Sequence, residues 1–226
     1  MILTQENMRF IKVMMDQTTT ITLIRHGETE WNLSGRWQGH ADSPLSARGV
    51  DQANALGERV KKEKFDFYYS SDLRRALHTS ELVGDPSGMI AEPFPKLRER
   101  DLGVLEALNT DEMMERYPEV YASFRNDGPD FQVPKGESFR QFYNRCADAI
   151  EEIAEKHPGA KVALVTHGGV LGAVFRYVLK LSLDSERNFV LLNCSLNRIE
   201  KKKDGWNLIS WGDVAHLNNM ASLDDS

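Results

Sequence analysis

Cysteine is scarce in this chain. Cys146 and Cys194 are the only two in 226 residues, too few and too far apart for a disulfide framework or a zinc site. Both are expected to be ordinary thiols of a reducing compartment. An excess of positive charge is also missing: 28 Lys and Arg against 34 Asp and Glu leave a net charge of −6, so the basic footprint of a nucleic-acid binder is absent. No stretch approaches the ~18 continuous apolar residues of a membrane span. Residues 1–17 contain Glu6, Arg9, Lys12 and Asp16, which break up any signal-peptide core. They are expected to form a peripheral tail on a cytoplasmic protein, with 18–226 as a single domain. No His-Glu-x-x-His helix suggests a metal site, and no Gly-x-Gly-x-x-Gly follows the first strand to suggest a dinucleotide. Neither a metal nor a cofactor is therefore expected.

What is present begins with Ile21-Thr22-Leu23-Ile24, an apolar run of the kind that fills a buried parallel strand. It ends on Arg25-His26-Gly27. A second run, Val162-Ala163-Leu164-Val165-Thr166, ends the same way on His167-Gly168-Gly169. Between and after them, strands alternate with helices. Phe65-Asp66-Phe67-Tyr68-Tyr69 reads as a strand, and Ser70-Ser71 as the cap of a helix carrying Arg74 and Arg75. Met89-Ile90-Ala91 reads as a third strand. Ser46 is placed to cap a helix, and a long helix is expected from about Ser138 to Lys156. Residues 196–200 and 206–211 read as an antiparallel hairpin at a sheet edge. This pattern predicts a three-layer α/β/α fold, mostly parallel with an antiparallel edge hairpin. Residues 107–136, rich in proline and aromatic residues, form an excursion suited to a lid.

In an open α/β sheet, ligands bind at the carboxyl edge of the strands. Here that edge gathers two histidines, two arginines and a fresh helix N-terminus, a combination suited to a small tetrahedral anion such as phosphate. A neutral imidazole can attack phosphorus, and neighbouring arginines hold its pKa down. Arginines also stabilise charge on the equatorial oxygens of a transferring phosphoryl group. The leaving alkoxide needs a proton from an acid on a nearby loop.

The run Arg25-His26-Gly27-Glu28-Thr29-Glu30-Trp31-Asn32 resembles the signature of the histidine phosphatase superfamily, with its phosphoglycerate-mutase-like fold. Arg36-Trp37-Gln38-Gly39, Ser70-Ser71-Asp72-Leu73-Arg74-Arg75, Leu97-Arg98-Glu99-Arg100 and Val165-Thr166-His167-Gly168 match further segments in the family's order. The resemblance implies that His26 is phosphorylated. It also implies that Arg25, Arg75 and His167 bind the phosphoryl oxygens with Asn32 and the Gly168 N–H, and that Gln38 and Gly39 line the pocket. Glu99 becomes the acid and then the base, with Glu28 and Glu106 next in line for that role. Arg74 and Arg100 are left as surface charges or as residues behind the site. His40, His78, His157 and His216 are read as structural.

The expected activity is hydrolysis of a small phosphate ester, in the manner of the broad-specificity phosphatase branch. The mutase branch carries a lysine after the acid segment and an arginine pair in its insertion. This chain has Thr110 and the separated Arg116 and Arg125. Phosphoglycerate mutase is the alternative, and a non-catalytic phosphoryl-binding protein a further one. A homodimer is compatible with this reading. Ala107 departs from the phosphatase branch, which tends to have glycine there, and predicts a differently shaped loop after Glu106.

Overall fold

A computed structural model describes residues 18–218 and 220–223; the expected N-terminal tail lies outside the described residues. The first strand, β1 (Thr19–Arg25), has Ile21, Leu23 and Ile24 fully buried. A strand covered on both faces has to be apolar on both, which is why this run is nearly continuous. It pairs in parallel with β4 (Lys161–Thr166), and β4 pairs in parallel with β2 (Phe67–Ser70). The short β3 (Glu92–Pro93) completes the parallel side. On the other flank, β5 (Leu196–Lys202) lies antiparallel to β1 and turns into β6 (Gly205–Asp213). The order β3-β2-β4-β1-β5-β6 is the mixed sheet with an edge hairpin that the sequence predicts.

The helices, in chain order, are α1 (Glu30–Leu33), α2 (Ala47–Val60), α3 (Arg74–Gly84), α4 (Thr110–Arg116), α5 (Pro118–Asn126), α6 (Phe139–Lys156) and α7 (Gly168–Leu179). Strand side chains alternate between faces, and the two cores follow that period. Leu23, Val162 and Leu164 pack with Phe142, Ile150 and Ile153 of α6 and Val170, Leu171 and Val174 of α7. Ile24, Ala163 and Val165 pack with Leu56 and Val60 of α2 and Ala76 and Val83 of α3. Each large buried aliphatic side chain contributes about 1.5–3 kcal/mol. Ser46 caps α2 as expected and Ser138 caps α6, their hydroxyls accepting from the Gly49 and Gln141 N–H groups.

Three local expectations are corrected. The second strand starts at Phe67 rather than 65, because Asp66 turns its carboxylate to the Lys161 N–H at 2.8 Å. The third strand falls at 92–93, past Met89-Ile90-Ala91. There Met89 N–H closes the end of α3 on the Gly84 carbonyl, and Ile90 is 92% exposed. Ser70 and Ser71 do not cap α3, which starts three residues later with Leu73 at its cap and no side-chain cap bond. That leaves the Ser71 hydroxyl for another partner.

The excursion is a small structure with its own core. Leu102, Leu105, Leu108, Met113 and Val133 pack together, joined by Trp37, Tyr121, Phe124 and Phe131. Arg36 ties the loop after α1 to α4 through two bonds to Glu112, at 2.5 and 3.0 Å. Ala107 sits between them at φ +62°, accepting from Arg36 and donating to the Trp37 carbonyl. The loop therefore has an alanine in the left-handed conformation that glycine favours.

Candidate active site

The parallel register brings Arg25 level with Thr166 and Ser70 level with Val165, so β1, β4 and β2 end together. Above that edge lies a cavity of about 220 Å³. Arg25, His26, Asn32, Gln38, Gly39, Arg75, Glu99 and Gly168 all line it. His167, the remaining residue singled out in the sequence, is fully buried beside them, its ring centre 5.3 Å from that of His26.

The ring of His26 is fixed by a 2.8 Å contact between Nδ1 and the Gly27 carbonyl. A carbonyl only accepts, so Nδ1 carries the hydrogen and Nε2 keeps its lone pair. Burial, then the charges of Arg75 and Arg25, hold the imidazole pKa well below the usual 6.5. The ring is neutral at pH 7. His26 is also held from behind, where Asn193 Nδ2 donates to its carbonyl at 3.0 Å.

Arg75, 1% exposed, is gripped by the loop in front of it. Nη1 donates to the Ala41 carbonyl and the Asp42 carboxylate, and Nη2 to the Gly39 carbonyl at 2.8 Å. Its buried Nε has no partner among the described residues. Arg25 is held from the far side by the carbonyls of Leu191 and Leu223. Asn32 closes a capping box on Thr29, and Gln38 Nε2 donates to the Thr29 hydroxyl at 2.8 Å.

His167 is oriented by Ser71, whose Oγ lies 2.8 Å from Nε2. That hydroxyl already accepts from the Leu73 N–H, and Nε2 is the acceptor left for its own hydrogen. Nε2 is then a lone pair, and Nδ1 carries a hydrogen that has no partner among the described residues. Burial first, then Arg75, His26, Arg25 and His40, depress the pKa of this imidazole too. Next to it α7 begins, its dipole and first N–H groups favouring an anion.

Glu99 stands at the rim. Its carboxylate accepts from the Gly169 N–H at 2.9 Å and the Arg100 N–H at 2.8 Å. A Cβ on Gly169 would sit 2.1 Å from Glu99 Oε1, so the close approach requires glycine. The Glu99 carbonyl accepts from His40 Nε2 and from Arg145. The two reserve acids are occupied elsewhere. Glu28, fully buried, binds Ser46 and Arg48, and Glu106 holds the N–H groups of His40, Ala41 and Leu102. Neither lines the cavity.

The sequence does not single out Ser71, Asp42, Thr79 and Asn193 as site residues, whereas His40, expected to be structural, contacts the Glu99 carbonyl. Thr79 accepts from Gly27 N–H and donates to the Arg75 carbonyl, tying the end of β1 to the first turns of α3. The sequence suggests a helix cap for Ser71, and the structure turns its hydroxyl to His167 instead. Arg100 needs correcting as well: it lines the cavity, half-buried, and is not a surface charge. Arg74 stays exposed, as expected. Among the described residues no three of histidine, cysteine, aspartate and glutamate gather as a metal ion would need. No helix among them is long and apolar enough to cross a membrane.

Comparison with known proteins adds an independent line. The model of the histidine phosphatase superfamily (branch 1) matches residues 21–214. The metal-independent phosphoserine phosphatase of Arabidopsis thaliana is 40% identical over 211 residues, 92% of this chain and 87% of that protein. Phosphoglycerate mutase-like protein 4 of the same plant is 36% identical over 208 residues, 90% of this chain and 89% of its own. Among solved structures, the α-ribazole phosphatase of Shigella flexneri superposes with a TM-score of 0.78 at 30% identity, covering 86% of this chain and 96% of that one.

Proposed function

Because the chain belongs to branch 1 of the histidine phosphatase superfamily, we propose that it is a metal-independent phosphomonoesterase acting through a phosphohistidine on His26. One observation carries the mechanism: a neutral imidazole whose Nε2 lone pair opens on a cavity walled by two buried arginines. The phosphoryl oxygens are held by Arg25, by Arg75 through its unpartnered Nε, by the Nδ1–H of His167 and by the Gly168 N–H, with Asn32 and Gln38 beside them. His26 Nε2 attacks phosphorus, and the ester oxygen leaves with a proton from Glu99. Water then attacks the phosphohistidine, Glu99 takes its proton, and His26 departs as the leaving group. The arginines supply the electrostatic stabilisation that metal ions give in other phosphoryl-transfer sites.

Hydrolysis is favoured over mutase chemistry by the excursion, which acts as the lid. Thr110, Arg116 and Arg125 are exposed and none lines the cavity. The substrate is a small phosphate ester, in keeping with the volume of the cavity. Both cysteines are buried and free, and burial pushes their thiols up, away from the reactive thiolate. This supports a cytoplasmic setting. Every group named comes from one chain, so a homodimer is not needed to complete the site.

The test is phosphate release from an aryl phosphate by the purified protein in EDTA, beside a phosphoglycerate assay. Full hydrolysis in EDTA supports the proposal. Activity that requires a divalent ion, or phosphoglycerate isomerisation that outpaces phosphate release, contradicts it.

A further inference from the structure

Glu99 sits in an irregular stretch between two short 3₁₀ turns, Pro95–Leu97 and Gly103–Leu105. Its main chain forms no hydrogen bond to another backbone group among the described residues. Two side chains hold its carbonyl instead, His40 through Nε2 at 2.9 Å and Arg145 through Nη2 at 3.1 Å. Arg145, from α6, also donates to the carbonyls of Lys96 and Arg98 and to the Glu137 carboxylate. It therefore supports the stretch as a whole. His40 reaches Glu99 from a different part of the chain, the loop between α1 and α2.

That loop also grips Arg75. The guanidinium donates to the carbonyls of Gly39 and Ala41 and to the Asp42 carboxylate, so His40 lies between two residues that fix it. The loop is stiff at this point. Glu106 accepts from the His40 and Ala41 N–H groups at 2.6 and 3.0 Å. A Cβ on Gly39, at φ +56°, would fall 2.3 Å from Glu106 Oε1. The His40 side chain is 29% exposed and does not line the cavity. Its Nδ1 lies 3.7 Å from Asp101 Oδ2. A carbonyl only accepts, so Nε2 has to carry a hydrogen.

We propose that His40 is a positioning residue for Glu99, its Nε2–H bond fixing where the acid stands relative to the phosphoryl group on Arg75. The inference rests on the phosphatase reading, in which Glu99 protonates the ester oxygen. A general acid has to come within about 2.6–3.2 Å of the atom it protonates, and a misplacement of about 1 Å costs about 10²-fold in rate. A bond that ties the acid to the loop around Arg75 guards that distance without touching the substrate.

His40→Phe keeps a ring and removes the donor, whereas His40→Gln keeps an amide donor of similar reach. The phenylalanine variant should lower kcat for an alkyl phosphate by about 10- to 100-fold and for an aryl phosphate by no more than about 3-fold, with KM little changed. In a Glu99→Gln background the same substitution should cost the alkyl ester no more than about 3-fold further, because the two residues act as a unit. His40→Gln should recover most of the alkyl rate. Equal losses on both esters, full additivity with Glu99→Gln, or a glutamine variant as slow as the phenylalanine one overturns the proposal.

Hydrogen exchange reads the same bond without turnover. The Gly169 N–H rests on the Glu99 carboxylate at 2.9 Å, so its exchange should be at least about 5-fold faster in His40→Phe. Unchanged exchange means that His40 does not hold the acid. If the aryl phosphate is not hydrolysed at all, the phosphatase reading fails, while Gly169 still reports on His40. Should His40→Phe not fold, histidine NMR of the unaltered protein decides. Neutral His40 should carry a slowly exchanging hydrogen on Nε2, and a hydrogen on Nδ1 or a fast-exchanging Nε2–H removes the bond.

Discussion

β1 and β4 lie side by side, run parallel and end on nearly the same words, Arg25-His26-Gly27 and Thr166-His167-Gly168. Both imidazoles are buried, both are neutral, and both carry their hydrogen on Nδ1. They are turned in opposite directions. His26 ties Nδ1 to its own chain and offers Nε2, a lone pair. His167 ties Nε2 to Ser71 and offers Nδ1, a donor. One edge of the ring suits attack on phosphorus and the other suits holding an oxygen. On the proposed mechanism, two similar strand ends divide a nucleophile from an electrostatic clamp, and what turns each ring is a carbonyl in one case and a serine hydroxyl in the other.

Removing the clamp should be the costlier way to disturb this pair without touching the nucleophile. His167→Ala is expected to lower kcat by about 10²- to 10³-fold, the usual cost of one oxyanion donor. Single-turnover rates should show both formation and breakdown of the intermediate slowed. A loss seen only in KM would mean that His167 binds the ground state as tightly as the transition state.

Glu99 is attached to the β4 end through the Gly169 N–H, so it extends the comparison to proton transfer. Glu99→Gln should slow esters with alkyl leaving groups about 10²-fold more than aryl esters, which need little protonation. Equal losses on both classes would reduce Glu99 to a structural role.

The Ser71 hydroxyl is the device that turns His167. Ser71→Ala should cost about 10-fold in kcat, a single hydrogen bond's worth. It should also return His167 to the Nε2–H tautomer. Nitrogen-15 NMR of labelled histidine reads this directly: in the unaltered protein both rings should show Nδ1–H and remain neutral at pH 6. Their depressed pKa values place protonation below the ordinary 6.5. A ring that is half-charged at pH 6.5, or a His167 that carries Nε2–H, breaks the comparison.

The smallest effect belongs to the excursion. Ala107 holds a left-handed backbone at φ +62°, which costs a non-glycine residue about 1 kcal/mol. Ala107→Gly should raise the unfolding free energy by that amount or less, since glycine also loses more entropy on folding. A destabilised variant would mean that the alanine methyl packs well enough to offset the backbone cost.

The sequence made the strand ends legible because they are continuous in it: an apolar run, a histidine and a glycine sit within a few residues of each other. Arg75 and Glu99 were legible only through the likeness of their segments to the family's, since a helix arginine or an acid among alternating charges looks like a solvated face. Ser71 was not legible. Serine before a helix reads as a cap, and its bond to a ring 96 positions away is made by the pairing of β2 with β4. Arg100 was misjudged for a similar reason. Its burial depends on Phe124 of α5 and Phe139 of α6, which come to it from elsewhere in the chain only through the tertiary fold.

The claim that His26 and not His167 takes the phosphoryl group is tested most directly by trapping it. Labelled substrate, mixed rapidly and quenched without acid, should leave label on the protein that survives base and is lost in acid, as a P–N bond requires. The label should map to His26, vanish with turnover in His26→Ala, and persist at a slower rate in His167→Ala. Label on His167, or fast turnover with no label at all, would contradict the division of labour between the two strand ends.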